Sequence, residues 1–127
     1  MTFEDIEQKI LYPKGLNDKF DLYLDVIRKI PDEEKIFFTQ NLGVMLKSGL
    51  SASRAFRTLT LQSSNPKLKR TLAKITRDVE KGQTISSSMA KYPKTFSPIF
   101  TSMIKAGEVS GQLEPVLKQL ASQQKNT

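Results

Sequence analysis

Apolar positions recur along this chain at spacings of three and four, which is the period of a helix with one buried face. Near the start, Phe3, Ile6 and Ile10 share a side, and Thr2 opens a Thr-x-x-Asp pattern suited to capping. The run Tyr12-Pro13-Lys14-Gly15 should end that short helix. Asn17 then heads a second segment with Phe20, Tyr23, Leu24 and Ile27 in phase, stopped by Pro31. Asp32, Glu33 and Glu34 suit the positive end of a helix reaching about Ser48, with Phe38, Leu42, Met45 and Leu46 inward and Gly49 closing it. Ser51 caps the next, which carries Ala52, Ala55, Phe56 and Leu59. Asn65-Pro66 and Ser97-Pro98 each place a cap before a proline, where the missing N–H costs nothing. The first of these helices should reach Lys81 before Gly82. The second holds Ile99, Phe100, Met103 and Ile104 and should close at Gly107. Between them Thr84 caps a short helix ended by Tyr92-Pro93, and a last helix uses Leu113, Val116, Leu117, Leu120 and Ala121.

No stretch alternates as a strand would. The pattern predicts an all-α chain: an antiparallel six-helix bundle with two additional short N-terminal helices. Residues 1–31 form a helical appendage and 32–127 the main unit. The expected core includes Leu42, Leu46, Phe56, Leu59, Leu72, Ile75, Met103, Leu117 and Leu120.

Composition narrows the chemistry. The 127 residues contain no histidine, cysteine or tryptophan. That excludes a Cys/His zinc site, a disulfide framework, a Ser-His-Asp triad and a cysteine nucleophile. Ser86-Ser87-Ser88 has no general base beside it, Asp78 and Glu80 lean to different faces, and no phosphate-binding glycine loop is present. The chain is not expected to be an enzyme. No run approaches the ~20 apolar residues of a membrane span, so a soluble, cytoplasmic piece is expected.

Charge is distributed unevenly. Residues 1–34 carry nine of the 13 acids, whereas 35–127 carry 15 of the 20 bases and a net charge of +11. Such a unit suits an anionic neighbour: nucleic acid, a membrane face or an acidic protein. Within 66–81, Leu68, Leu72, Ile75 and Val79 form one seam. Lys67, Arg70, Lys74, Arg77 and Lys81 form another roughly opposite it. That basic stripe is either an anion-binding ridge or a solvated helix face. Aromatics that would stack on bases fall mostly on apolar faces, so specific nucleic-acid recognition is not expected, although a free-standing basic nucleic-acid-binding module is the alternative reading.

The segment Ala106-Gly107-Glu108-Val109-Ser110-Gly111-Gln112-Leu113 sets a lone carboxylate between two glycines where two helices meet. Glu108 is expected near the positive start of the following helix, capping the corner. The other reading makes it a ligand of a hard cation or a contact on a partner. One carboxylate is a poor calcium site, which wants six to eight oxygens, so other donors or a second chain would have to help.

These landmarks resemble the type II secretion system F domain. Phe38-Thr39-Gln40-Asn41-Leu42 with Leu46-Lys47-Ser48-Gly49-Leu50 matches its F-x-x-x-L…L-x-x-G-L opening. Gly82, Met89-Ala90, Tyr92-Pro93, Phe96 and above all Gly107-Glu108-Val109-Ser110-Gly111-Gln112-Leu113 follow in the same order. The resemblance covers about residues 35–124 and does not extend to residues 1–30. It implies the first cytoplasmic domain of a polytopic inner-membrane platform protein of a type IV pilus or type II secretion machine, with a membrane span expected after Thr127. It further implies that the protein couples a hexameric cytoplasmic assembly ATPase to pilin or pseudopilin polymerisation, beside other inner-membrane assembly proteins, an anionic membrane surface and a second copy of the chain as candidate partners. No cofactor is implied beyond calcium at Glu108, and Thr84, where a further acidic oxygen would be supplied, is not a carboxylate.

Overall fold

The computed structural model describes residues 2–11 and 29–125, and among these every regular element is a helix. They are α1 (Phe3–Leu11), α2 (Asp32–Lys47), α3 (Ala52–Gln62), α4 (Pro66–Glu80), α5 (Ile85–Met89), α6 (Pro98–Ser110) and α7 (Leu113–Lys125). The helix expected between Asn17 and Ile27 lies outside the described residues.

Local chemistry sets most of the boundaries. The side chains of Ser51, Asn65, Thr84 and Ser97 accept the N–H of the residue three ahead, at 3.0–3.3 Å. Each such cap is worth about 1 kcal/mol. At the start of α1, Thr2 and Asp5 bond reciprocally, Thr2 N–H to Asp5 Oδ2 and Asp5 N–H to Thr2 Oγ1. Those bonds hold the Asp5 carboxyl below the usual aspartate range. Gly49, Gly82 and Gly111 have positive φ and follow α2, α4 and α6.

One predicted ending is wrong. Gly107 does not close α6: it is helical, and the helix runs a further turn to Ser110 before Gly111 turns left-handed at φ 73°. The Gln112 N–H then reaches back to the Gly107 carbonyl at 2.9 Å. Gly107 is needed for space instead. A Cβ built there would stand 3.0 Å from the Leu113 Cα and 3.2 Å from Val116 Cγ2. Glycine lets the start of α7 lie against α6, and this close approach, not a turn, explains the residue.

From α2 onward consecutive helices pack against each other through short links, α2 returns to pack on α7, and α1 packs on α4. The core joins Phe38 and Leu42 (α2), Phe56 and Leu59 (α3), Leu68, Leu72 and Ile75 (α4), Met89 (α5), Phe100 and Ile104 (α6), and Leu117 and Leu120 (α7). Leu46 and Met103, expected inside, pack on its margin. Phe96 bridges Phe38 and Phe100, with ring centroids 5.8 and 5.6 Å away. Buried Thr60 and Thr76 each bond a carbonyl four residues back at 2.7 Å and face each other at 3.2 Å, so neither hydroxyl is left unpaired between α3 and α4.

Candidate functional site: the glutamate corner and the basic face

Helix α5 has only five residues, too few to hold itself in water. Its order comes from neighbours. Glu108, on the last turn of α6, accepts the Ile85 N–H at 2.8 Å and the Ser86 N–H at 3.2 Å. Thr84 Oγ1 takes the Ser87 N–H at 3.1 Å and the Thr84 carbonyl takes that of Ser88 at 3.2 Å. All four donors at the start of α5 are therefore satisfied, and the carboxylate sits where the helix is most positive. Sequence reasoning placed Glu108 at the start of α7. The extra turn of α6 instead aims it across the fold at α5.

A second carboxylate grips the other side of α5. Asp78 of α4 accepts the Ser88 hydroxyl at 2.6 Å and the Lys91 ammonium at 2.9 Å. Burial pulls the Asp78 carboxyl up, but these two bonds outweigh it and hold it below the usual aspartate range. Glu80 points elsewhere and pairs with Arg57. Ser88 is thus occupied as a structural donor. Neither its place nor Asp78 was legible from spacing, because the partners sit on two different helices joined by a turn.

Around the corner, the Ser110 hydroxyl bonds the Ala106 carbonyl at 2.8 Å, and Leu113 opens α7 against Gly107. Glu108 stands without other acidic ligands beside it among the described residues. Both its oxygens face N–H donors, Thr84 adds a hydroxyl and no charge, and among the described residues no three acidic side chains converge.

The basic stripe of α4 is only partly open. Lys74 and Lys81 are exposed, whereas Lys67, Arg70 and Arg77 are half-buried. Arg77 Nε lies 3.2 Å from Glu7, because α1 packs on α4. The Lys74 ammonium stands 6.0 Å from the Tyr92 ring centroid, and the Arg57 guanidinium 5.4 Å from that of Phe3. A groove of about 800 Å³ between α2 and α7, lined by Asn41, Val44, Lys47, Glu114 and Lys118, had no forewarning in the sequence.

These features define an all-α domain whose concentrated polar contacts fasten helices to one another. The sequence profile of the family described as type II secretion system (T2SS), protein F matches residues 38–127, and the chain belongs to that family. It is 33% identical over 99 residues to type II secretion system protein F of Vibrio cholerae, covering 78% of this chain and 24% of that protein. It is 36% identical over 85 residues to type IV pilus assembly protein PilC of Thermus thermophilus, covering 67% and 21%. Against PilC of Myxococcus xanthus it is 31% identical over 93 residues, covering 73% and 22%. The chain thus spans about a quarter of the length of these relatives. The family ties it to type II secretion, type IV pilus assembly and protein transport.

Proposed function

We propose that residues 32–127 form a non-enzymatic, antiparallel six-helix scaffold on the cytoplasmic side of a larger inner-membrane platform protein. In this reading the platform couples a hexameric assembly ATPase to polymerisation of pilin or pseudopilin, alongside other inner-membrane assembly proteins and a second copy of the chain. The observation that carries it is the Glu108 corner. The glycine-flanked glutamate of residues 107–113 is spent on fixing α5 to α6, which is what a force-bearing adaptor needs and what a reaction centre does not. The exposed lysines of α4 are read as a contact for an anionic membrane surface, where each added base contributes about 1 kcal/mol. The nucleic-acid module has less behind it, since Phe38, Phe56, Phe96 and Phe100 lie in the core and of these aromatics Phe37 alone is exposed, which is no stacking platform by itself.

The test is genetic and topological. Removing residues 32–125 from the full-length gene product should abolish surface pili or secretion while the remainder still reaches the membrane. A reporter fused within the domain should read as cytoplasmic. Normal pili and secretion after the deletion, or a reporter exported from the cytoplasm, would overturn the reading.

A further inference from the structure

Helix α2 carries two apolar sides. Phe38 and Leu42 are buried in the core, whereas Phe37 and Val44 are turned to solvent, 53% and 65% exposed. Seven residues apart, these two stand on one line, about 10 Å along the helix axis, with Asn41 between them. The Asn41 side-chain N–H donates to the Phe37 carbonyl at 2.7 Å. An apolar pair at heptad spacing with a polar residue between is what one helix presents to another. Beside this line runs the groove between α2 and α7. Small residues hollow it. Gly43 lies so near α7 that an added Cβ would stand 3.4 Å from the Leu117 Cβ, and Ala121 of α7 lines it with a buried methyl. Lys47 stands on one wall and Lys118 on the other, both exposed, with Glu114 the carboxylate among the lining residues.

We propose that this groove docks an acidic amphipathic helix of a partner protein, about two turns long. Shape and charge complementarity select that occupant. The walls run from Gln40 to Lys47 and from Glu114 to Ser122, each about 10–12 Å, the length of two helical turns. A guest helix laid there sets apolar side chains four and seven residues apart against Phe37, Val44 and the Gly43–Ala121 floor. Carboxylates on its flanks meet Lys47 and Lys118. A second copy of the chain is a poor occupant of the groove, because residues 35–127 carry +11 and would be repelled. A bilayer surface is too flat to enter a cleft between two helices. The groove shares no residue with the Glu108 corner or the α4 stripe, so docking there stands apart from the membrane contact proposed for α4.

The experiment uses the whole chain and a fluorescein-labelled helical peptide of about four turns. Its leucines stand four and seven residues apart, glutamates flank them and alanine fills the rest. One twin has lysines for the glutamates, the other serines for the leucines. At physiological salt, anisotropy should show the acidic peptide binding about ten-fold tighter than either twin. Lys47→Glu combined with Lys118→Glu should shift the preference to the lysine twin, and Val44→Asp should weaken the acidic peptide about ten-fold. These positions are exposed, so thermal melts should show each variant folded. The chain has no cysteine, so Val44→Cys installs a single thiol. Saturating acidic peptide should slow its alkylation about ten-fold and leave that of Ser102→Cys, exposed on α6, unchanged. An acidic peptide that binds no tighter than its serine twin, a charge reversal without effect, or equal slowing of Ser102→Cys would overturn the proposal. So would a Val44→Cys thiol already shielded in the free chain. Shielding that grows with protein concentration would assign the groove to a second copy, and shielding independent of concentration to residues 12–28.

Discussion

Replacing Glu108 by Gln keeps the side-chain shape and removes the charge that two backbone donors of α5 now share. A hydrogen bond to a charged group contributes about 1.5–3 kcal/mol, against about 1 kcal/mol for a neutral one. The charge also interacts with the helix start, worth about 0.3–1 kcal/mol. The amide oxygen of Gln can keep one N–H, but its NH2 group turns a donor toward the other. Partial exposure of Glu108 reduces every term. The expected net loss is about 2 kcal/mol, which for a domain of this size lowers the melting midpoint by about 10 °C. Urea and thermal melts measure it, and hydrogen exchange at Ile85 and Ser86 locates it. Glu114→Gln is the control: that carboxylate is exposed at the start of α7, and its loss should cost less than about 0.5 kcal/mol. A Glu108→Gln midpoint equal to wild type, with both amides still protected, would refute the clasp. A calcium-dependent rise in the wild-type midpoint that Glu108→Gln abolishes would show that the carboxylate serves a cation instead.

Gly107→Ala gains about 1 kcal/mol of helix propensity but presses a methyl on the Leu113 backbone, which the Gln112–Gly107 bond holds in place; chemical denaturation should show a net loss of about 1 kcal/mol, and a stabilised variant would mean the α6–α7 contact is slack. Gly111→Ala should cost about 1 kcal/mol for a different reason, its left-handed φ in open space, and Gly111→Asn should recover part of it, whereas Gly107→Asn should be worse than Gly107→Ala. Because the Asp78 carboxyl is depressed in the folded state, its contribution is present above the usual aspartate range and lost as pH falls through the lowered value; Asp78→Asn should flatten that part of the acid limb of a stability-versus-pH curve. Duplex DNA should bind weakly, without sequence preference, and be lost as salt rises; tight selective binding in a gel-shift or anisotropy assay would revive the nucleic-acid reading.

What the sequence settled was local. Ser51, Asn65-Pro66, Thr84 and Ser97-Pro98 announced four helix starts because a cap bonds an amide only three residues away. Gly49 and Gly82 announced two endings for the same reason, and the three-and-four spacing found most of the core. Where two glycines stood four residues apart, local chemistry could not choose between Gly107 and Gly111, since either tolerates a left-handed turn. Packing chose: α7 needs Gly107 bare to approach α6, and one more turn carries Glu108 to α5. The bonds from Glu108 to Ile85, from Asp78 to Ser88 and from Glu7 to Arg77 join residues far apart in sequence. A carboxylate's partner is whichever donor the helix packing brings within about 3 Å of it, and that distance exists only once the helices have met.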